Sequence, residues 1–281
     1  MSVQAAEQAV REGDLATALS SLQEQIRKAP EKAALRVFLF QLLSVQGDWA
    51  RAATQLNLAA ELDAGALAMA QMYREAILCE RLRAEVFAGR TSPVIFGQPE
   101  EWLALLIEAL LVGGTARAGE APALRARAFE AAPASAGTID GQPFEWIADA
   151  DMRLGPVLEA VVNGRYYWVP FARLSRIDFE APADLRDVVW MPAHLQFSNG
   201  GEAVGVVPTR YPGSEAAADP ALRLARRTEW IEGPPEVFSG LGQRVLTTSG
   251  GDFALMDVRS ILLEPGADAT TDGNAEGAAG A

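Results

Sequence analysis

A repeat near the start constrains this chain most: Gly13-Asp14 recurs as Gly47-Asp48, 34 residues on. Aligning the two segments puts Ala16 on Ala50, Ala18 on Ala52 and Leu22 on Leu56, with Leu15 opposite Trp49. A period of 34 belongs to two-helix tetratricopeptide units, which bury their apolar faces only by stacking on one another. The pattern has a physical reading. Glycine takes the turn that ends one helix, and the aspartate after it caps the next by accepting a backbone N–H. An alanine sits where the helices cross closely, a large residue (Leu15 or Trp49) fills the space beneath, and Pro30 closes the first unit.

The helix expected over residues 33–45 is apolar most of the way round, through Leu35, Val37, Phe38, Leu39, Phe40, Leu42 and Leu43. Such a helix is sandwiched between neighbours. A third helical unit over 66–88 lacks the Gly-Asp turn, as a terminal capping repeat does. Residues 90–97, with Pro93 and Gly97, read as a connector. Pro99 opens a further helix through Trp102, Leu103, Leu106 and Leu110 to Gly113-Gly114, and 121–132 form a last amphipathic one. A helical domain is expected over residues 1–133.

After a small, polar stretch at 134–141 the apolar period becomes two. Val157 to Val162 and Arg165 to Val169 flank Asn163-Gly164, the strongest short hairpin signal. Two further hairpins are expected around Asn199-Gly200-Gly201 and Gly250-Gly251, with single strands near 144–147, 177–179 and 224–230 and a short helical piece at 182–187. The fold class is therefore multidomain α and β. A tetratricopeptide-like array precedes a small, mostly antiparallel barrel or strongly curved sheet over 134–264. Residues 265–281 hold nothing large enough to bury and are expected to be disordered.

Composition excludes several function classes. Net charge is −13 and the lysines are Lys28 and Lys32 alone, so the clustered cations that nucleic acid requires are missing. No apolar run approaches the ~20 residues of a membrane span. The first residues, Met1-Ser2-Val3-Gln4-Ala5-Ala6-Glu7, show no secretory pattern, and a cytoplasmic location is expected. One cysteine, Cys79, and one histidine, His194, cannot make an internal disulfide or, by themselves, a zinc site. His194 adjoins an alternating strand and reads as structural; Cys79, within an apolar helical stretch, reads as buried and inert. No phosphate loop or nucleophile elbow is present, Gly240-Leu241-Gly242-Gln243-Arg244 falls short of a dinucleotide fingerprint, and no cofactor is implied.

Two candidate sites remain. Asp149 and Asp151, two apart on an extended strand, point to one face, with Arg153 following. They form an Asp–Arg turn clamp or, in an alternative reading of the chain as an enzyme or ligand-binding protein, an acid–base or metal pair. Tyr166, Tyr167 and Trp168 belong to the core or present a protein-binding face.

Several stretches carry a resemblance: Asp149-Ala150-Asp151 with Arg153-Leu154-Gly155-Pro156, then Asn163 to Phe171, Asp184-Leu185-Arg186-Asp187 with Trp190, and Pro208 to Ser214. Together with Gly240 to Arg244 and Arg36 to Leu43, they make the chain resemble the ImpE family over residues 5–263. Its members, also called TagJ or SciE-type proteins, are accessory components of bacterial type VI secretion systems. The resemblance implies a cytoplasmic, non-enzymatic adaptor, virulence-associated, that binds the sheath subunit TssB of the contractile sheath. In some members it also implies contact with the ATPase ClpV through an N-terminal helix, here residues 3–12 with Ala6 and Val10. Tetratricopeptide-like arrays offer a groove for a partner helix.

Overall fold

The computed structural model describes residues 3–233 and 237–265. Apart from Pro265, the tail expected to be disordered lies outside the described residues.

The first part is helical: α1 (Val3–Glu12), α2 (Leu15–Lys28), α3 (Ala33–Val45), α4 (Trp49–Leu62) and α5 (Leu67–Phe87). The α1/α2 and α3/α4 turns close alike. Gly13 and Gly47 have φ of +83° and +70°, a conformation that glycine adopts without Cβ strain. Asp14 N–H donates to Ala9 C=O at 2.8 Å, and Asp48 N–H to Leu43 C=O at 3.0 Å. Each aspartate carboxylate then accepts from the third residue of the following helix, Thr17 N–H at 2.9 Å and Arg51 N–H at 3.3 Å. Ala18, Leu22, Ala52 and Leu56 are completely buried. The third unit is one uninterrupted helix, α5, laid across a sheet.

The connector after α5 contains a strand that its sequence does not announce, β1 (Val94–Ile95). Then come α6 (Glu101–Gly113), α7 (Ala121–Ala131), β2 (Gly137–Ile139), β3 (Gln142–Phe144), β4 (Ile147–Asp149), β5 (Val157–Val162), β6 (Arg165–Pro170), β7 (Leu174–Phe179), β8 (Trp190–Phe197) and β9 (Glu202–Pro208). The turn α8 (Pro220–Arg223) is followed by β10 (Thr228–Gly233), β11 (Val237–Gly242), β12 (Val245–Thr248), β13 (Gly251–Ala254) and β14 (Ser260–Leu263). The piece at 182–187 appears as a 3-10 turn, Leu185–Val188, closed by a capping box between Asp184 and Asp187.

Nine strands make one sheet in the order β1-β6-β5-β9-β8-β7-β14-β2-β3; β13-β12-β4 and β10-β11 are separate. The β5/β6 hairpin turns at Asn163 and Gly164, both with positive φ. All pairings in the large sheet are antiparallel except that of β1 with β6. The expected barrel is not closed: the strand order has two ends, one held by β1 from the helical part and the other by β3, whose Pro143 removes a ladder donor. The second part is thus a sheet-rich α+β unit.

Strand alternation splits the core in two. One side of the large sheet, with Leu158, Val162, Val169, Met191 and Val207, packs with Leu246 of β12 and with Leu255 and Val258 beyond β13. The other side, with Val161, Tyr166, Trp168, Trp190 and Val206, joins Leu22, Phe40, Leu56, Tyr73 and Leu103 of the helices in one continuous cluster. The helical and sheet-rich parts therefore share a core.

Candidate functional site

Where α5 crosses the sheet, charged side chains are sealed into this shared core. Glu159 is the acid in an otherwise apolar strand, Val157-Leu158-Glu159-Ala160-Val161-Val162, and alternation turns it with Val157 and Val161 toward the helices. Arg83 of α5 meets it through Nε to Oε1 at 2.7 Å and Nη2 to Oε2 at 3.0 Å. Arg244 bridges the acids, Nη1 on Asp149 and Nη2 on Glu159, while its Nε donates to Pro208 C=O at 2.8 Å. The Tyr166 hydroxyl donates to Glu159 Oε1 and accepts from Trp168 Nε1 at 2.8 Å. Tyr211 donates to Asp149 Oδ1 at 3.0 Å, and Glu80 accepts from Trp190 Nε1 at 2.9 Å.

The side chains of Asp149, Glu159 and Arg244 have no exposed surface. Burial pushes the Glu159 carboxyl up, but Arg83 and Arg244 outweigh it and hold the group at about 2. Burial pushes Asp149 up to about 6 against the pull of Arg244. Burial and the Glu159 charge together push the Tyr166 phenol well above its ordinary range. Every carboxylate oxygen of Glu159 and Asp149 already has a partner within the protein. Such a cluster fixes how helix and sheet meet, and losing one partner strands a buried charge.

The sequence-predicted residues separate. Asp149 turns into the cluster, whereas Asp151 accepts from Arg153 N–H and Nε, each at 2.9 Å, from Arg153 Nη2 at 2.5 Å and from Gly240 N–H at 2.9 Å. The two aspartates do not converge on one face, because β4 ends at Asp149 and the chain bends before Asp151. Arg153 lies over the Phe87 ring, 4.9 Å from its centre. Tyr166 and Trp168 are buried against the helices, while Tyr167 points to the opposite side and packs edge-on against Phe96, so the three make no exposed aromatic platform. Ala6 and Val10 face inward from α1. Cys79 is buried, its thiol pushed up to about 12 by burial. His194 is a partly exposed neighbour of Glu202 at 3.4 Å.

Sequence reasoning missed Glu159, Arg83 and Arg244. A lone acid in a wholly apolar strand was the available signal, since a buried charge requires a partner. Among the described residues no group of three or more His, Cys, Asp or Glu side chains is placed to hold a metal ion, and no helix is long and apolar enough to cross a membrane.

Residues 141–262 match the family model of the ImpE protein. The chain is also 53% identical over 262 residues to the type VI secretion system accessory component TagJ of Pseudomonas aeruginosa, covering 92% of this chain and 91% of that protein. This chain belongs to the ImpE/TagJ family. The crystal structure of a Vibrio parahaemolyticus protein, 25% identical, superposes on this ImpE/TagJ fold with a TM-score of 0.83, covering 92% of this chain and 97% of that one.

Clefts open on several sides of this ImpE/TagJ chain, and one of about 330 Å³ reaches the charge cluster at Glu80 and Arg83. A cleft of about 720 Å³ runs between α1, α3 and residues 183–185, lined by Val10, Leu35, Val37, Phe38 and Leu185 among others, with Glu7, Asp184, Arg11 and Lys32 as its charged residues. Another, of about 410 Å³, lies between α7 and β4, lined by Phe129, Trp146, Met152 and Pro156. Asp149 borders this last cleft, but its carboxylate faces Arg244 and Tyr211.

Proposed function

We propose that this chain is a non-enzymatic adaptor of a bacterial type VI secretion system, working in the cytoplasm and binding the contractile-sheath subunit TssB. The observation that carries the reading is the 53% identity over nearly the whole length to a type VI secretion accessory component. In this reading α1 to α4 are two tetratricopeptide-like repeats, the helical domain runs over residues 1–133 and the sheet-rich domain over 134–264. The cleft between α1 and α3 receives an amphipathic helix from the partner. The net charge of −13 favours a basic partner segment, with an association rate that falls as salt rises. If the ATPase ClpV is engaged through α1, the exposed Gln4, Glu7, Gln8 and Arg11 are the residues on offer, because Ala6 and Val10 are buried. The alternative of an enzyme around Asp149, Asp151 and Arg153 has less support, since these groups bind one another and their neighbours.

The test is titration calorimetry of the full chain with purified TssB, beside a Val37→Lys variant that places a charge on the cleft wall. The variant is expected to melt as the parent does and to lose at least about tenfold in affinity. Undiminished binding by the folded variant overturns the groove, and absence of binding by the parent chain overturns the sheath-subunit assignment.

A further inference from the structure

The β10/β11 ribbon stands apart from both other sheets, and its two long edges differ. Gln243 N–H donates to Arg227 C=O at 3.0 Å, which sets the phase of the ladder. Alternation then makes 229/241, 231/239 and 233/237 the bonded pairs, so Phe238, Gly240 and Gly242 direct their peptide groups outward from β11. All three are engaged. Met152 N–H donates to Phe238 C=O at 3.1 Å, Gly240 N–H donates to Asp151, Gly242 N–H donates to Ser214 Oγ at 2.8 Å, and Tyr211 N–H donates to Gly242 C=O. On β10 the same alternation points the N–H and C=O groups of Thr228, Trp230 and Glu232 outward, and among the described residues no backbone or side-chain group bonds them.

Natural edge strands are guarded by charged side chains, lysine above all, by proline, by a bulge or by brevity. This one is six residues long, Thr228-Glu229-Trp230-Ile231-Glu232-Gly233, in unbroken register, and of those devices it carries only two glutamates, which repel an anionic strand and admit a cationic one. Trp230 and Ile231 are 43% and 50% exposed, and Phe238 across the ribbon is 42% exposed. Glu229, which pairs with the exposed Arg227 at 2.5 Å, and Glu232 flank the apolar pair on opposite faces of the strand. Aromatic side chains beside an open row of peptide groups are what strand-adding recognition uses, the backbone supplying affinity and the side chains selectivity.

We infer that the outer edge of β10 is a docking site for an extended, cationic segment of a partner protein, which adds as a third strand to the β10/β11 ribbon. Charge selects the occupant. A second copy of this chain brings another net charge of −13 and its own Glu229 and Glu232 to the same edge, whereas like charges across strands destabilise and opposite charges stabilise. The segment that fits places lysine or arginine beside Glu229 and Glu232 and β-branched residues beside Trp230 and Ile231. The site is separate from the helical cleft and stands or falls independently of it.

The test uses the full chain and a capped hexapeptide, Thr-Lys-Val-Val-Lys-Thr, which reads the same in both directions and so pairs either way. Thr-Glu-Val-Val-Glu-Thr is its counterpart. Amide hydrogen exchange is followed by NMR at Thr228, Trp230 and Glu232, with Ile231, already bonded to Ser239, as internal reference. The lysine peptide at millimolar concentration is expected to slow exchange at the three outward amides and the glutamate peptide to leave it unchanged. The surface variant Glu229→Lys/Glu232→Lys should reverse that preference by about tenfold. No slowing with the lysine peptide overturns the inference, as does equal slowing with both peptides. Slowing that grows with protein concentration alone, with a dimer in sedimentation, also overturns it by giving the edge to a second copy.

Discussion

The hairpins α1/α2 and α3/α4 close with the same glycine–aspartate turn, yet the sheet-rich part treats them differently. An arginine from that part binds the end of the first helix in each. Arg226 donates to Val10 and Arg11 C=O, both at 2.8 Å, and Arg210 to Ser44 and Val45 C=O at 3.2 and 2.8 Å. Val10 and Ser44, like Arg11 and Val45, are 34 residues apart, so the second part meets the repeat in phase. Carbonyls at a helix end lack intrahelical partners and carry partial negative charge, which is what a guanidinium satisfies. The surroundings then diverge. Arg226 is exposed, whereas Arg210 is 4% exposed, its pKa lowered to about 10 by burial. A Cβ on Gly13 would meet only Pro220 at 3.5 Å; one on Gly47 would press to 2.6 Å on the Glu215 side chain. One local motif thus serves as a surface cap in the first hairpin and as a buried joint in the second.

The largest effects should be shared. Ala18→Arg and Ala52→Arg each force a charged side chain into a fully buried position and are expected to lower stability by at least about 3 kcal/mol. A large difference between them, in chemical denaturation, would mean that the hairpins do not pack alike. Next comes Arg210→Ala. Losing its hydrogen bonds and leaving buried carbonyls unsatisfied outweighs the relief of a desolvated cation, with an expected loss of about 3 kcal/mol. Gly47→Ala adds displacement of Glu215 to left-handed strain, about 2 kcal/mol in all. Adding Glu215→Ala should restore the steric share of that loss, and a double-mutant cycle reads it directly. Arg226→Ala and Gly13→Ala should each cost about 1 kcal/mol. If Arg226→Ala matches Arg210→Ala, the contrast between surface cap and buried joint fails.

Features set by a few adjacent residues were legible in the sequence. The Gly-Asp turns needed a left-handed residue and a capping carboxylate, and the β5/β6 hairpin needed Asn163-Gly164. Features set at a distance were not. Arg83 and Glu159 are 76 residues apart, and Glu159 and Arg244 are 85; nothing local to either announces the other. The strand β1 is two residues following Pro93, too short for a period to show. The aromatic run 166–168 was open to misreading because composition, unlike strand alternation, does not say that Tyr167 faces away from its neighbours. For Asp149 and Asp151 the Asp–Arg clamp was legible, in Asp151 and Arg153, but the shared face was not, since two residues of one strand share a face only while the strand continues.

The shared core also imposes an order in time. During synthesis α5 emerges with Arg83 in place, while Arg244, the cation that bridges its acid to Asp149, is 161 residues further on. At roughly 5–20 residues per second that is a wait of roughly 10–30 seconds. For the first 107 of those residues, Phe40 and Tyr73 also lack the Trp190 ring they later pack against. The helical part of a nascent chain should therefore be open to proteases and to chaperones that grip apolar surface until the sheet closes over it. Limited proteolysis of ribosome-bound chains stalled before and after β12 should show cleavage within α3 and α5 disappearing together.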